Sequence, residues 1–302
     1  MLALVAGDLF AHKRVETLGG LNIRGYRGPV ARQRQQNELR IVFAGGTRAF
    51  GWGEPASGTI PAAVRFELTR VLDRPNEPLR PIVVINLGQI GARPESYPST
   101  FERYASLQPD YAGIIDDLGE AGPNRPFDAS GIFAITGYRP MLPLVLYEKG
   151  TVTKRRTLGV PLEYVGSTLA AIDRGLARAT AGRDVEDADA ASATSPEAYA
   201  TAMMAAIEAA HRHARGVVVA LAPIDTEAQR RNSDALTARL AAAATPPWLR
   251  IVDLGKQADL HDPELRLDAF SFGAAATGRA AQAIAPAFLD LPGVRAGNVA
   301  SR

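Results

Sequence analysis

The chain has no cysteine and only four histidines among its 302 residues. Without cysteine there is no disulfide framework, no thiolate nucleophile and no thiolate metal site, and the chain is compatible with any redox compartment. With so few imidazoles, every candidate base can be named: His12, His211, His213 and His261. An excess of one charge is also missing. Lys+Arg 34 against Asp+Glu 32 leaves a formal net charge of +2, which gives no electrostatic case for a nucleic-acid partner. Long apolar runs are lacking too. A membrane-crossing helix needs roughly 20 apolar residues and a secretory signal an apolar stretch of about 7–15. The amino-terminal Met1-Leu-Ala-Leu-Val-Ala is cut short by Asp8, His12, Lys13 and Arg14. Two readings of it stay open: the tail of a membrane anchor, or an ordinary amphipathic first helix.

What is present is a globular composition, 46% hydrophobic and 22% charged, of a length that suits one large α/β domain or two small ones. Residues 1–37 read as a lead-in, and residues 38–292 as a domain with an insertion at about 120–194. Residues 293–302 read as a tail. Leu18 to Asn37 is rich in glycine and arginine, which predicts an extended surface segment rather than a packed element.

Five short apolar runs carry the domain: Arg40–Ala44, Pro81–Gly88, Asp110–Asp116, Gly216–Pro223 and Leu249–Asp253. Near-continuous burial of this kind marks parallel strands covered on both faces. Helices are predicted between and after them. Thr59–Leu72 has Thr59 as cap and Pro61 in its first turn, and Ser195–His213 starts with the same pattern in Ser195-Pro196. Ser99–Leu107, Thr226–Ala243 and Ala274–Leu289 complete the set. Strand–helix alternation with right-handed crossovers predicts a three-layer α/β/α sandwich around a five-stranded parallel sheet.

The insertion is less regular. It holds an apolar, proline-broken piece, Ile132 to Tyr147, too short to span a membrane. Two roles stay open for it: a lid over the core, or a docking surface built on Tyr138, Met141, Leu142 and Leu144. Ser167 to Arg178 reads as helix, and Ala181 to Thr194 as a solvated low-complexity linker.

The chemistry is concentrated after the first strand, in Gly45-Gly46-Thr47-Arg48-Ala49-Phe50-Gly51-Trp52-Gly53. A strand ending in a tight turn and then a helix presents a hydroxyl at the carboxyl end of the sheet. The block resembles the Gly-Asp-Ser-Phe-Thr-Phe-Gly-Trp-Gly of bacterial envelope-type members of the SGNH (GDSL) hydrolase superfamily. Asn22-Ile23-Arg24-Gly25-Tyr26-Arg27-Gly28 is similar to their Asn-x-x-Gly-x-Arg-Gly lead-in, and Asn86-Leu87-Gly88-Gln89-Ile90-Gly91 to their second block. Pro109 through Glu120 covers the third, which normally ends Gly-x-Asn-Asp. Leu267-Asp268-Ala269-Phe270-Ser271 covers the last, normally Asp-x-x-His.

The resemblance implies a flavodoxin-like SGNH hydrolase fold and a serine–histidine–aspartate ester hydrolase without cofactor or metal. It places nucleophile, orienting acid and base at Thr47, Asp268 and Ser271, and the oxyanion hole at Thr47, Gly88 and Gly119. The residues depart from that pattern. Threonine replaces serine at 47, Gly46 replaces aspartate, and Gly119 replaces the oxyanion asparagine. Asp117 brings a carboxylate near the developing oxyanion, and Ser271 cannot take a proton at neutral pH.

The expectation is therefore a pseudoenzyme. Its use is that of a structural or accessory subunit of an envelope or membrane-associated complex, periplasmic or otherwise extracytoplasmic. A protein partner or membrane-associated assembly is expected, with an acyl or carbohydrate ligand in the cleft and no nucleic acid. The alternative is a weak or altered carboxylic-ester hydrolase, or an O-acyl transfer enzyme, with Thr47 as nucleophile. Asp116, Asp117 and Glu120 read as a solvated acidic rim rather than a cation site, with Arg48 and Arg93 as candidate partners. His211 and His213 read as helix-terminal residues and His261 as a loop residue.

Overall fold

The computed structural model describes residues 6–10, 21–22, 24–51, 54–73, 80–119, 195–243, 245–258, 260, 262, 265 and 272–295. The insertion at 120–194 lies outside them, with the roles read for Tyr138, Met141, Leu142 and Leu144. So do Asp268, Ser271, Glu120, His12 and His261.

Five strands form one sheet: β1 (Leu39–Gly45), β2 (Ile82–Asn86), β3 (Tyr111–Asp116), β4 (Gly216–Leu221) and β5 (Leu249–Asp253). Their spatial order is β2-β1-β3-β4-β5, and every pairing is parallel. This is the flavodoxin-like order. The chain direction across the sheet reverses between β1 and β3, and ligands of open α/β sheets bind outside the carboxyl ends of the strands at that reversal.

Side chains alternate between the sheet's two faces. Along β1, Leu39, Ile41 and Phe43 enter one core and Val42 and Ala44 the other. The first core is roofed by α2 (Ile60–Leu72) and α7 (Ala274–Leu289), whose Val64, Leu68, Ile284 and Phe288 are fully buried. The second lies under α3 (Tyr97–Arg103), α4 (Pro196–His213) and α5 (Glu227–Ala242), with Tyr97, Phe101, Tyr199, Met203 and Leu236. Two short helices stand at strand ends: α1 (Thr47–Phe50) after β1 and α6 (Leu254–Gln257) after β5.

The helix starts are chemically marked. Thr59 accepts from the Ala62 amide at 3.4 Å, and Ser195 from the Ala198 amide at 3.2 Å. Thr226 and Gln229 cap reciprocally at 3.2 and 3.0 Å. The third predicted helix starts earlier than expected, at Tyr97, and finishes as a separate 3₁₀ turn, Ala105–Leu107. His211 and His213 end α4 as expected. His211 stacks on Trp248 with ring centroids 3.7 Å apart, and His213 Nε2 lies 2.9 Å from Glu102.

The lead-in departs from its expected surface character. Arg27 bridges to Asn86 at the end of β2, and Leu21, Asn22, Tyr26 and Arg27 are all buried. Four contacts make burial worthwhile. The Arg27 guanidinium lies 4.1 Å over the Phe50 ring and donates to the Glu54 carbonyl, Asn22 Nδ2 donates to the Gly28 carbonyl at 2.8 Å, and Tyr26 meets Tyr104 edge-to-face. The lead-in thus packs under the block that contains Thr47.

Candidate functional site

Thr47 opens α1 immediately after β1, so its side chain stands at the carboxyl end of the sheet beside β3. The hydroxyl is buried, and its Oγ1 accepts a hydrogen bond from the Gly91 amide at 3.1 Å. Gly91 belongs to the turn after β2, so the first and second blocks meet as the resemblance implies. The Gly88 amide, cast as an oxyanion donor, instead donates to Asn86 Oδ1 at 2.9 Å, and Asn86 Nδ2 donates to the Ala49 carbonyl at 2.7 Å. Asn86 thereby ties the end of β2 to α1.

The end of β3 supplies two carboxylates, and both contradict the expected solvated rim. Asp117 is buried because Arg48 neutralises it, with Nη1 2.9 Å from Oδ1, the two side chains being 1% and 6% exposed. Arg48 also lies 4.0 Å from Asp225 and 5.1 Å over the ring of Phe272, which brings the start of the final helical segment beside the first block. Arg93, the other expected cation, is half-buried and forms no ion pair with Asp116 or Asp117.

The absence of a side chain at Gly46 makes room for this pair: a Cβ there would stand 2.5 Å from Asp117 Oδ2. The carboxylate that the resemblance puts at position 46 is thus replaced in space by one reaching in from position 117. There its charge is met by the Arg48 guanidinium.

Asp116 points to the opposite side of the sheet. Its Oδ1 accepts from the Tyr97 hydroxyl at 2.9 Å, and its Oδ2 from the Tyr199 hydroxyl at 2.7 Å and the Leu118 amide at 2.8 Å. Burial raises its pKa from 3.8 to about 6 against the opposing effect of these bonds. Both tyrosines are held well above the usual phenol range, first by burial and then by the neighbouring carboxylate, and remain donors.

Gly119 follows in a left-handed conformation with φ 77°, after Leu118 with φ 56°. A Cβ at 119 would come 2.8 Å from Asn232 Nδ2 and 3.0 Å from the Tyr199 ring. Asn232 itself donates to the Leu118 carbonyl at 2.8 Å.

Of the sequence-predicted site residues, Thr47, Gly88 and Gly119 are thus gathered at the switch point, whereas Asp268 and Ser271 lie outside the described residues. The sequence reading missed Tyr97, Tyr199, Gly91 and Asn232. Tyr97 and Tyr199 each follow a helix-opening pattern, which reads as ordinary core, and nothing local pairs them with an aspartate about twenty or eighty residues away. Among the described residues, no group of histidines or carboxylates is arranged to hold a metal ion, and no helix is long and apolar enough to cross a membrane.

Neither a family model nor a curated protein matches this sequence. Solved structures do. The chain is similar to a G-D-S-L family protein from Desulfitobacterium hafniense DCB-2, at 12% identity and a TM-score of 0.46, over 82% of this chain and 99% of that one. It is similar to LAE5, an α/β hydrolase enzyme from the metagenome of Lake Arreo, Spain, at 13% and 0.47, over 85% and 96%. A carbohydrate esterase family 3 protein from Talaromyces cellulolyticus is similar at 10% and 0.42, over 83% and 96%. At these identities the likenesses concern the chain path alone, and the resemblance to SGNH (GDSL) hydrolases stands on the sequence blocks and on where the sheet places them.

Proposed function

We propose that this protein is a catalytically impaired SGNH-hydrolase-like protein, a pseudoenzyme that serves as a binding or structural subunit. The observation that carries the reading is that two of the positions the resemblance assigns to the oxyanion hole have no donor to offer. Losing one oxyanion donor alone costs about 10²–10³ in rate. The Gly88 amide is engaged with Asn86, and position 119 has no side chain to donate. Sequence position 271 offers a serine in place of the base.

The binding role is placed in an envelope or membrane-associated assembly, in line with the envelope-type character of the first block. Leu9 and Phe10, 53% and 63% exposed on the helical stretch at residues 6–10, offer such a partner an apolar contact.

The test is turnover of p-nitrophenyl acetate by the purified chain beside its Thr47→Ala variant. The expected result is the same background rate for both. Hydrolysis that disappears with Thr47 overturns the proposal in favour of the alternative, an ester hydrolase or O-acyl transfer enzyme with Thr47 as nucleophile. Protein extracted from native membranes under mild conditions is expected to run as part of a larger particle, and a monomer alone would refute the assembly role.

A further inference from the structure

A second concave site lies at the opposite end of the sheet from Thr47. Arg40 is the second residue of β1 and Gly45 the last, so the two sites are separated by about 16 Å of strand. At the amino end is a groove of about 730 Å³, within the size range of small-molecule sites. Five arginines line it: Arg24, Arg32 and Arg34 from the lead-in, Arg40 from β1 and Arg103 from the end of α3.

These arginines divide into two kinds. Arg40 is buried and fully engaged: Nε is 2.5 Å from Glu38, Nη1 donates to the Leu107 carbonyl at 2.9 Å, and Nη2 to the Arg32 carbonyl at 3.0 Å. Arg34 bonds Asp110 and the Gln108 carbonyl, each at 2.6 Å. Together they clamp the lead-in to the turn before β3 and fix the floor. Arg24, Arg32 and Arg103 are exposed around it.

The carboxylates that reach this floor, Glu38 and Asp110, are already neutralised by Arg40 and Arg34. Asp110 also lies within the electrostatic reach of Arg80, and Arg80 in turn near Arg215. Glu102, next to Arg103, is turned to Arg212 and His213 instead. Arg24 and Arg32, both exposed, therefore give the rim of the groove a local positive charge in a chain that is nearly neutral overall. Rim and floor are rigidly joined, since the Tyr104 hydroxyl donates to the Arg24 carbonyl at 3.0 Å and the Ala31 amide to the Tyr26 hydroxyl at 2.6 Å.

We propose that this groove binds a multiply charged phosphate ester, independently of the Thr47 site. Guanidinium forks match phosphate oxygens bidentately, and the pair offered by Arg24 and Arg32 on one groove favours a ligand with more than one phosphate negative charge over a single carboxylate. A soluble phosphorylated metabolite and the phosphorylated headgroup of a lipid both present this chemistry.

Calorimetric titration of the full chain at physiological salt tests it, with inorganic tripolyphosphate and a sugar bisphosphate as soluble probes. Co-sedimentation with phosphatidylcholine vesicles, with and without phosphatidic acid, is the lipid arm. The variant is Arg24→Gln/Arg32→Gln, which leaves the main-chain contacts of both residues intact. The control is Arg230→Gln/Arg231→Gln on the exposed face of α5, equal in charge lost.

Saturable binding that weakens about tenfold or more in the groove variant, and less than about twofold in the control, is the expected result. Which arm responds identifies the source of the phosphate. Absence of binding to every probe at millimolar concentration, or equal weakening in both variants, overturns the proposal.

Discussion

Arg48→Met is the most informative single change, because the pair it breaks is buried at the carboxyl end of the sheet, next to Thr47 in the chain. The side chains of Arg48 and Asp117 are 1% and 6% exposed and lie 2.9 Å apart. Methionine keeps most of the packing of the arginine stem but leaves the Asp117 carboxylate without its guanidinium. Breaking a buried pair in this way costs about 3–5 kcal/mol, and loss of the stacking over Phe272 adds up to about 2 kcal/mol. Asp117→Leu leaves a buried guanidinium that, among the described residues, keeps only the Asp225 carboxylate at 4.0 Å as an ion-pair partner, and is expected to cost about 3 kcal/mol or more. The double variant Arg48→Met/Asp117→Leu removes both charges at once, and such replacements are often neutral or better. It should lie within about 2 kcal/mol of the parent, well short of the sum of the two single losses. Urea unfolding followed by circular dichroism measures all three at one pH. A cost below about 1 kcal/mol for Arg48→Met, or single losses that simply add, would refute the claim that the pair holds this end of the sheet.

Two further outcomes follow from the same end of the sheet. Asp116 is raised to about 6 in the folded chain against 3.8 otherwise, so between those values the folded state holds the extra proton. Stability therefore falls as pH rises from about 4 to about 6, and the full penalty, on the order of 3 kcal/mol, is present above that window. Asp116→Asn should flatten this part of the stability–pH curve measured by urea unfolding, and an unchanged slope would count against the assignment. Gly46→Ala puts a Cβ 2.5 Å from Asp117 Oδ2 and 3.1 Å from the Ala92 carbonyl, and should destabilise by about 1–3 kcal/mol. The same substitution in an Asp117→Gly background should cost clearly less; an equal cost would show that the carboxylate is not the obstacle.

The regular part of the fold was legible because its signals are local. Each core strand is an apolar run covered on both faces, and Thr59 and Ser195 announce their helices through caps that the structure realises. The lead-in was misread for an equally physical reason. Its glycines and arginines look solvated, but Arg27 is buried through an aromatic ring and a carbonyl contributed by residues more than twenty positions away. The acidic rim failed in the same manner. Asp116 and Asp117 are adjacent in sequence and point to opposite sides of the sheet, so each finds its own long-range partners. The pairing of Arg48 with Asp117 was readable as a compensation of charge at one end of the sheet. The tyrosine clasp on Asp116 was not, because nothing in residue spacing joins Tyr97 to Tyr199.

The crowding at Gly119 bears on which side chains this end of the sheet can accept. An asparagine introduced at that position would need the space now shared by the Asn232 amide and the Tyr199 ring. Asn232 is held by the Leu118 carbonyl and Tyr199 by Asp116, so neither yields without loosening the turn that would carry the new side chain. The asparagine that the resemblance puts at this position therefore does not fit by this one substitution alone. Laboratory selection for esterase activity should accordingly yield changes at 232 or 199 before any change at 119.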